Sequence, residues 1–305
     1  MIYCTTGDGH TDIDAYASCL AYVDLLSQRN KPAKVFFPAK TNYSVPDSLR
    51  IFEMENYELV LSPNDKAIVL DVSVPEVVTK YFPESQILEI IDHHTGYEEY
   101  WKEHLGSKAI IEKIGAVATN IFDWWGECWD YGKMSPKIAK LLLAGILDNT
   151  LNFNASMSTE RDKQASEKLA EIAGIKLMDF TKKYFEEVSK TVLDDLQNSI
   201  QNDTKPFHIP KLDLDIVCGQ LTVWDGSAVM NQKSRIEQAM AELSDTWLCS
   251  VINISDKRNF ILTNNTKIAN YISEILGLKQ ENDWLVSSKL WLRKEIFAEM
   301  LKEQE

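Results

Sequence analysis

The chain has 305 residues, 32 basic against 46 acidic side chains, a formal charge of −14, and hydrophobic residues at 45%. That balance describes a globular protein with material for about two domains, and it excludes a disordered or collagen-like chain. The negative charge argues against a non-specific grip on nucleic acid, and no apolar run approaches the roughly 18 residues of a membrane helix.

The start, Met1 to Asp8, has neither a basic n-region nor an apolar core, so the chain reads as cytoplasmic. Ile2–Thr6 reads as a strand and Asp14–Gln28 as a helix with apolar positions at Ala15, Leu20, Val23, Leu25 and Leu26. Ala33–Phe37, Ala67–Asp71 and Ile87–Ile91 read as further buried strands. Helical periodicity then dominates over Ala116–Trp125, Pro136–Ile146, Thr159–Ala173 and Leu177–Ile200. After about Asn202 the strands Lys205–Ile209, Leu214–Val223, Thr246–Ser255 and Asn259–Thr263 alternate with helices near Gln232–Leu243, Lys267–Leu276 and Trp291–Glu303. The expectation is an α/β chain. Residues 1–195 form a doubly wound, mostly parallel sheet domain, and residues 203–305 a smaller α/β domain beyond the polar stretch Asp194–Lys205.

Five cysteines, odd in number, scattered and without a CxxC, read as reduced buried thiols. The informative residues are acids and histidines at the ends of strands. Asp8, His10, Asp12 and Asp14 follow the first strand, Asp71 closes another, and Asp92-His93-His94 closes a third. Asp148-Asn149-Thr150 ends the apolar run Leu141–Leu147. Ligands of open α/β sheets bind outside the carboxyl ends of strands, so these clusters can converge. Carboxylates gathered in one crevice repel one another unless a divalent cation intervenes, and an oxygen and imidazole donor set favours manganese, magnesium or cobalt over zinc. Taken singly, Asp12 and Asp14 also suit the first turn of a helix, Asp71 suits a turn, and Asp148 or Asn149 suits a local backbone contact. Two adjacent histidines beside an aspartate after an apolar strand have no such bland explanation.

This order of motifs resembles the DHH phosphoesterase superfamily. Gly115-Ala116-Val117-Ala118-Thr119, the run Gly145–Phe153 and Ser158-Thr159-Glu160-Arg161-Asp162 resemble its branch of manganese-dependent family II inorganic pyrophosphatases and exopolyphosphatases. The segments Asp203–Phe207 and Lys289–Ile296 are similar to that branch's phosphate-holding segments. The GGGH-type motif of the superfamily's phosphodiesterase branch does not occur.

The resemblance implies two metal ions bridged by Asp71, with Asp12 on one and Asp14 and His93 on the other. It further implies Asp92 as the group orienting a histidine and His94 as a phosphate hydrogen-bond donor or leaving-group acid. Lys205, Arg293 and Lys294 would neutralise phosphate charge. The chain departs from the family at three places. Asp8 stands where the family has a histidine four residues before the first aspartate, while His10 lies two before Asp12, and either is a candidate ligand. Asn149 precedes Thr150 where an aspartate is expected, with Asp148 one residue earlier. Leu292 stands where an arginine is expected. The expected activity is hydrolysis of phosphoanhydride bonds in pyrophosphate or short polyphosphate with two manganese ions, magnesium or cobalt being alternatives. The competing readings are a phosphodiesterase of short oligonucleotides or nucleotide phosphates, and a catalytically weak binder of phosphorylated metabolites. Partners are otherwise confined to the small phosphorylated substrate, with no membrane, and exposed aromatics would permit a homodimer.

Overall fold

In the computed structural model, which describes residues 1–52 and 59–302, the chain divides into two compact units. The first comprises residues 1–153 and 157–181, the second residues 154–156 and 182–305.

The first unit runs β1 (Ile2–Thr5), α1 (Ile13–Gln28), β2 (Ala33–Phe36), β3 (Lys66–Leu70), α2 (Pro75–Val78), β4 (Ile87–Asp92), α3 (Glu98–Leu105), β5 (Ala109–Ile111), α4 (Val117–Cys128), α5 (Pro136–Asn149) and α6 (Glu160–Ala173). Helix α7 (Leu177–Asp194) begins in this unit and continues into the second. The five strands are all parallel, in the order β2-β1-β3-β4-β5. The expected parallel sheet is therefore present. Its short strand β5 escapes sequence patterning because three residues carry no usable alternation.

Side chains alternate between the faces of a strand, so each strand feeds two cores. Ala67, Val69, Ile87 and Ile90 pack with Phe82 and the fully buried Trp101 on one face. Helix α1 contacts β1, β2 and β3 and packs against α4 and α5. Asp12 starts α1 by accepting from the Ala15 N–H at 3.0 Å. At Gly145 a methyl group would meet the Asp14 Cα at 3.1 Å, so the glycine lets α5 lie close against the start of α1.

Two sequence-marked segments prove to be clamps. Thr159 and Asp162 form a capping box that starts α6. Asp162, fully buried, also accepts from the Gly115 N–H at 3.1 Å and the Thr119 hydroxyl at 2.6 Å. This ties the start of α6 to the start of α4.

The second unit continues with α8 (Leu196–Asn202), β6 (Thr204–Ile209), β7 (Leu214–Val223), α9 (Ser227–Met230), α10 (Lys233–Ala241), β8 (Trp247–Asn253), β9 (Arg258–Thr263), α11 (Thr266–Leu276), β10 (Lys279–Glu281), β11 (Trp284–Val286) and α12 (Arg293–Lys302). Its six-stranded sheet has the order β10-β11-β9-β8-β7-β6 and is antiparallel except between β7 and β8. The core packs Ile268, Ile272 and Leu276 of α11 and Ile296 of α12 on Ile216, Leu248 and Ile261 of the sheet. The single helix expected over 177–200 is broken because Asp195 leaves helical geometry and caps α8 through Asn198. The C-terminal helix begins two residues later than expected, and Glu303 lies outside the described residues.

Candidate metal centre

The strand order reverses between β1 and β3, where the chain leaves β1 toward β2 on one side and later returns to β3 on the other. A sheet with this order presents its ligand crevice at the carboxyl ends of those strands. Asp71 directly follows β3 there, and Asp92 ends β4 beside it.

Asp71 holds a left-handed backbone, φ 62°, and donates its N–H to the Ile91 carbonyl at 2.9 Å. A non-glycine residue in this region costs on the order of 1 kcal/mol and persists where surrounding structure enforces it. Here the continued ladder to β4 enforces it, one residue before Asp92.

Asp92 is fully buried and organises the turn that follows. Its Oδ1 accepts the His93 N–H at 2.7 Å, the His94 N–H at 3.1 Å and the His94 Nδ1 at 2.8 Å. Burial pushes the Asp92 carboxyl upward. The His94 hydrogen bond and charge, with help from Ser73 and the His94 N–H, outweigh it and leave the pKa below the ordinary aspartate value.

His93 is buried, and its Nδ1 lies 3.1 Å from the Ile114 carbonyl. A carbonyl can only accept, so Nδ1 carries the proton. The Nε2 lone pair then faces Asp71 Oδ1 at 3.4 Å. Two acceptors aimed at one space are reconciled by a proton on Nε2 or by a cation between them. His94, half exposed, lies 3.8 Å from the same Asp71 oxygen through Nδ1. One ligand atom each from Asp71, His93 and His94 lies within 4.8 Å of the others, and among the described residues no other acid, histidine or cysteine group of three does so. The donor set is oxygen and imidazole with no thiolate, and the buried imidazole is oriented by a backbone carbonyl as metal-bound histidines are. These residues fit a manganese-type cation.

The other sequence-selected acids are not among the atoms of this triangle. Asp14 is fully buried and caps α4: its Oδ2 accepts from the Val117 N–H at 2.8 Å and its Oδ1 from the Ala118 N–H at 2.7 Å. Burial drives the Cys19 thiol well above its ordinary range, and charge on Cys4, Asp71, Asp14 and Asp12 drives it the same way. Asp148 and Asn149 lie one helical turn beyond Gly145, the residue in contact with Asp14, and are half buried. Asp8 pairs with Lys80, and His10 is half buried in the same loop.

In the second unit Lys205 stands exposed on β6, and Lys294 is half buried on α12. The Arg293 guanidinium is turned inward: Nη2 donates to Asp203 Oδ1 at 2.6 Å, and Nη1 donates to the Asp203 and Cys218 carbonyls. Sequence reasoning selected Arg293 and the segment holding Asp203 separately and did not pair them. It also passed over Lys80, Ser73 and the Ile114 carbonyl, which carry no motif.

The fold and this turn define a doubly wound α/β protein with a carboxylate–imidazole cluster at its switch point. Residues 3–146 match the DHH family, N-terminal domain. The chain is 26% identical over 243 residues to the manganese-dependent inorganic pyrophosphatase of Bacillus subtilis, covering 78% of this chain and 76% of that one. A provisionally named enzyme of the same kind from Staphylococcus carnosus is 25% identical over 280 residues, covering 91% of this chain and 86% of its own. The fold is shared with a provisionally assigned family II inorganic pyrophosphatase of Methanococcus jannaschii, with a TM-score of 0.68 at 23% identity over 98% of both chains.

Proposed function

We propose that this chain is a manganese-dependent hydrolase of phosphoanhydride bonds, with inorganic pyrophosphate the first substrate to consider. The observation that carries this reading is the His93 Nε2 lone pair held 3.4 Å from Asp71 Oδ1 at the switch point of a DHH domain. The naming of the pyrophosphatase relatives supports the substrate and the metal.

In this reading Asp71 and His93 would hold manganese, with His94 beside them. A bound divalent cation supplies Lewis acidity toward a phosphoryl oxygen and lowers the pKa of its water. The chain's own residues do the rest. The Ile114 carbonyl keeps the proton on His93 Nδ1 and turns Nε2 toward Asp71. Asp92 fixes the His94 ring through Nδ1 and leaves its other ring nitrogen for the half-exposed side, where it can donate to a phosphate oxygen or return a proton to the leaving phosphate. Lys205 and Lys294 are the candidate phosphate cations of the second unit. Arg293 instead holds Asp203 and positions the strand that bears Lys205.

The test is inorganic phosphate release from pyrophosphate and tripolyphosphate, and mononucleotide release from a dinucleotide, each with manganese and with magnesium. Release from the two anhydrides, faster with manganese, is the expected result. Turnover of the dinucleotide alone would transfer the site to phosphodiesters, and metal-dependent binding without release would make the chain a phosphometabolite binder.

A further inference from the structure

An open cavity of about 510 Å³ lies within the second unit, and none of its lining residues belongs to the metal centre. Among the described residues, β7 and β8 are the only parallel neighbours of the second sheet, and α9 and α10 join them. Ligands of such βαβ units bind outside the carboxyl ends of the parallel strands. The cavity sits there. Trp224 and Asp225 directly follow β7, and Ser255 lies two residues past the end of β8. Helix α7 supplies the remaining lining, including Lys182, Glu186, Lys190 and Asp194 in a row at four-residue spacing.

The lining is held in place. The Trp224 N–H donates to Ser189 Oγ at 2.8 Å, and its carbonyl accepts the Ser255 N–H at 2.9 Å. Its indole lies beside the fully buried Phe185 ring, 6.4 Å between centroids and 27° between planes, while Trp224 itself is only half buried. A half-buried indole in a cavity wall offers a stacking face to a flat ring. Asp225 Oδ1 accepts the Ser227 N–H at 2.9 Å and the Ser227 hydroxyl at 2.8 Å, and these bonds hold its carboxyl below the ordinary aspartate range. The Ser255 hydroxyl donates to Asn253 Oδ1 at 3.0 Å, so its own oxygen remains an acceptor. Lys182 is matched to Glu186 at 3.7 Å, whereas among the described residues Lys190 has no ion-pair partner.

We propose that this cavity binds a nucleoside monophosphate, with the base on Trp224, the ribose hydroxyls donating to Asp225 and Ser255, and the phosphate on Lys190. The volume falls within the ~300–1,000 Å³ of pockets that enclose molecules of this size. Charge selects the monophosphate: Lys182 and Lys190 share the lining with Glu186, Asp194 and Asp225, and a triphosphate would add more negative charge than one unmatched ammonium offsets.

Isothermal titration of the full-length, metal-stripped protein with adenosine monophosphate, adenosine and adenosine triphosphate tests this, with no manganese present to hold a phosphate elsewhere. Saturable binding of the monophosphate is expected, tighter than that of the nucleoside or the triphosphate. Trp224→Leu is expected to weaken it by about tenfold or more, the worth of one base on an aromatic face. Lys190→Glu, a change on an exposed helix face that spares the core, is expected to weaken the monophosphate by about tenfold or more and leave adenosine unchanged. If Trp224→Leu fails to fold by circular dichroism, Lys190→Glu decides alone. No saturable binding by wild type, wild-type affinity in a folded variant, or tighter binding of the triphosphate overturns the proposal.

Discussion

His93 and Asp71 face each other across 3.4 Å, imidazole Nε2 to carboxylate Oδ1, while the far side of the ring is pinned by the Ile114 carbonyl at 3.1 Å. The pinning makes Nε2 an acceptor, so the pair is built to share a cation or a proton. His93→Gln should therefore abolish tight manganese binding while the fold survives. The expected loss in affinity exceeds the ~10–100-fold typical of groups that only support a ligand. Isothermal titration with manganese, alongside circular dichroism, checks it.

Asp92 touches the same turn from behind, so its removal should be milder. Asp92→Asn keeps an oxygen for the two N–H groups but loses the charge that orients His94. A fall of about 10–100-fold in manganese affinity or phosphate release is expected.

The same carboxyl sets a pH dependence of stability. Its pKa is lower in the folded chain than the ordinary value, so the folded state favours the ionised form. That contribution is fully present above about pH 4, the ordinary aspartate value, and is lost as pH falls through the lower folded value. In metal-free protein, the difference in melting temperature between wild type and Asp92→Asn should be constant from neutrality down to about pH 4. It should shrink below that, and a difference that grows on acidification would show the opposite sign.

Gly115 is enclosed by the clamp that joins α4 to α6. A methyl group there would meet Thr150 Cγ2 at 2.5 Å and Asp162 Oδ2 at 2.7 Å. Gly115→Ala should destabilise the first unit by about 1–3 kcal/mol, the usual cost of overpacking. Chemical denaturation measures it.

Arg293 and Asp203 form an ion pair with side chains 9% and 8% exposed. Arg293→Ala would strand a buried carboxylate and should cost about 3–5 kcal/mol, whereas Arg293→Met combined with Asp203→Leu should cost much less. Equal losses in the single and double variants would show that the pair is not the source of stability.

The turn Asp92-His93-His94 was legible because its chemistry is out of place at the end of an apolar strand, and strand ends are where such sheets place ligands. Asp12 was legible as a helix start, and it is one. The clamp formed by Asp14 was not, because its partners are backbone amides more than a hundred residues away and amides leave no mark in a sequence. The same reason hides the Ile114 carbonyl that sets the tautomer of His93. Arg293 was read as a phosphate cation from the resemblance of its segment, and only packing reveals that the guanidinium turns inward to Asp203. The hairpin of β10 and β11 went unseen because Lys279-Gln280-Glu281 has no apolar alternation. Helix α7 ran on in the sequence because Asp195 breaks it by a dihedral rather than by a glycine or proline.

Phosphate release from pyrophosphate by manganese-loaded wild type and Asp71→Asn, both shown to be folded, tests the central claim most directly. Manganese-dependent release in wild type, reduced by more than about a hundredfold in the variant, is the predicted result. Equal release by the two proteins, or none by wild type at any manganese concentration, would contradict it.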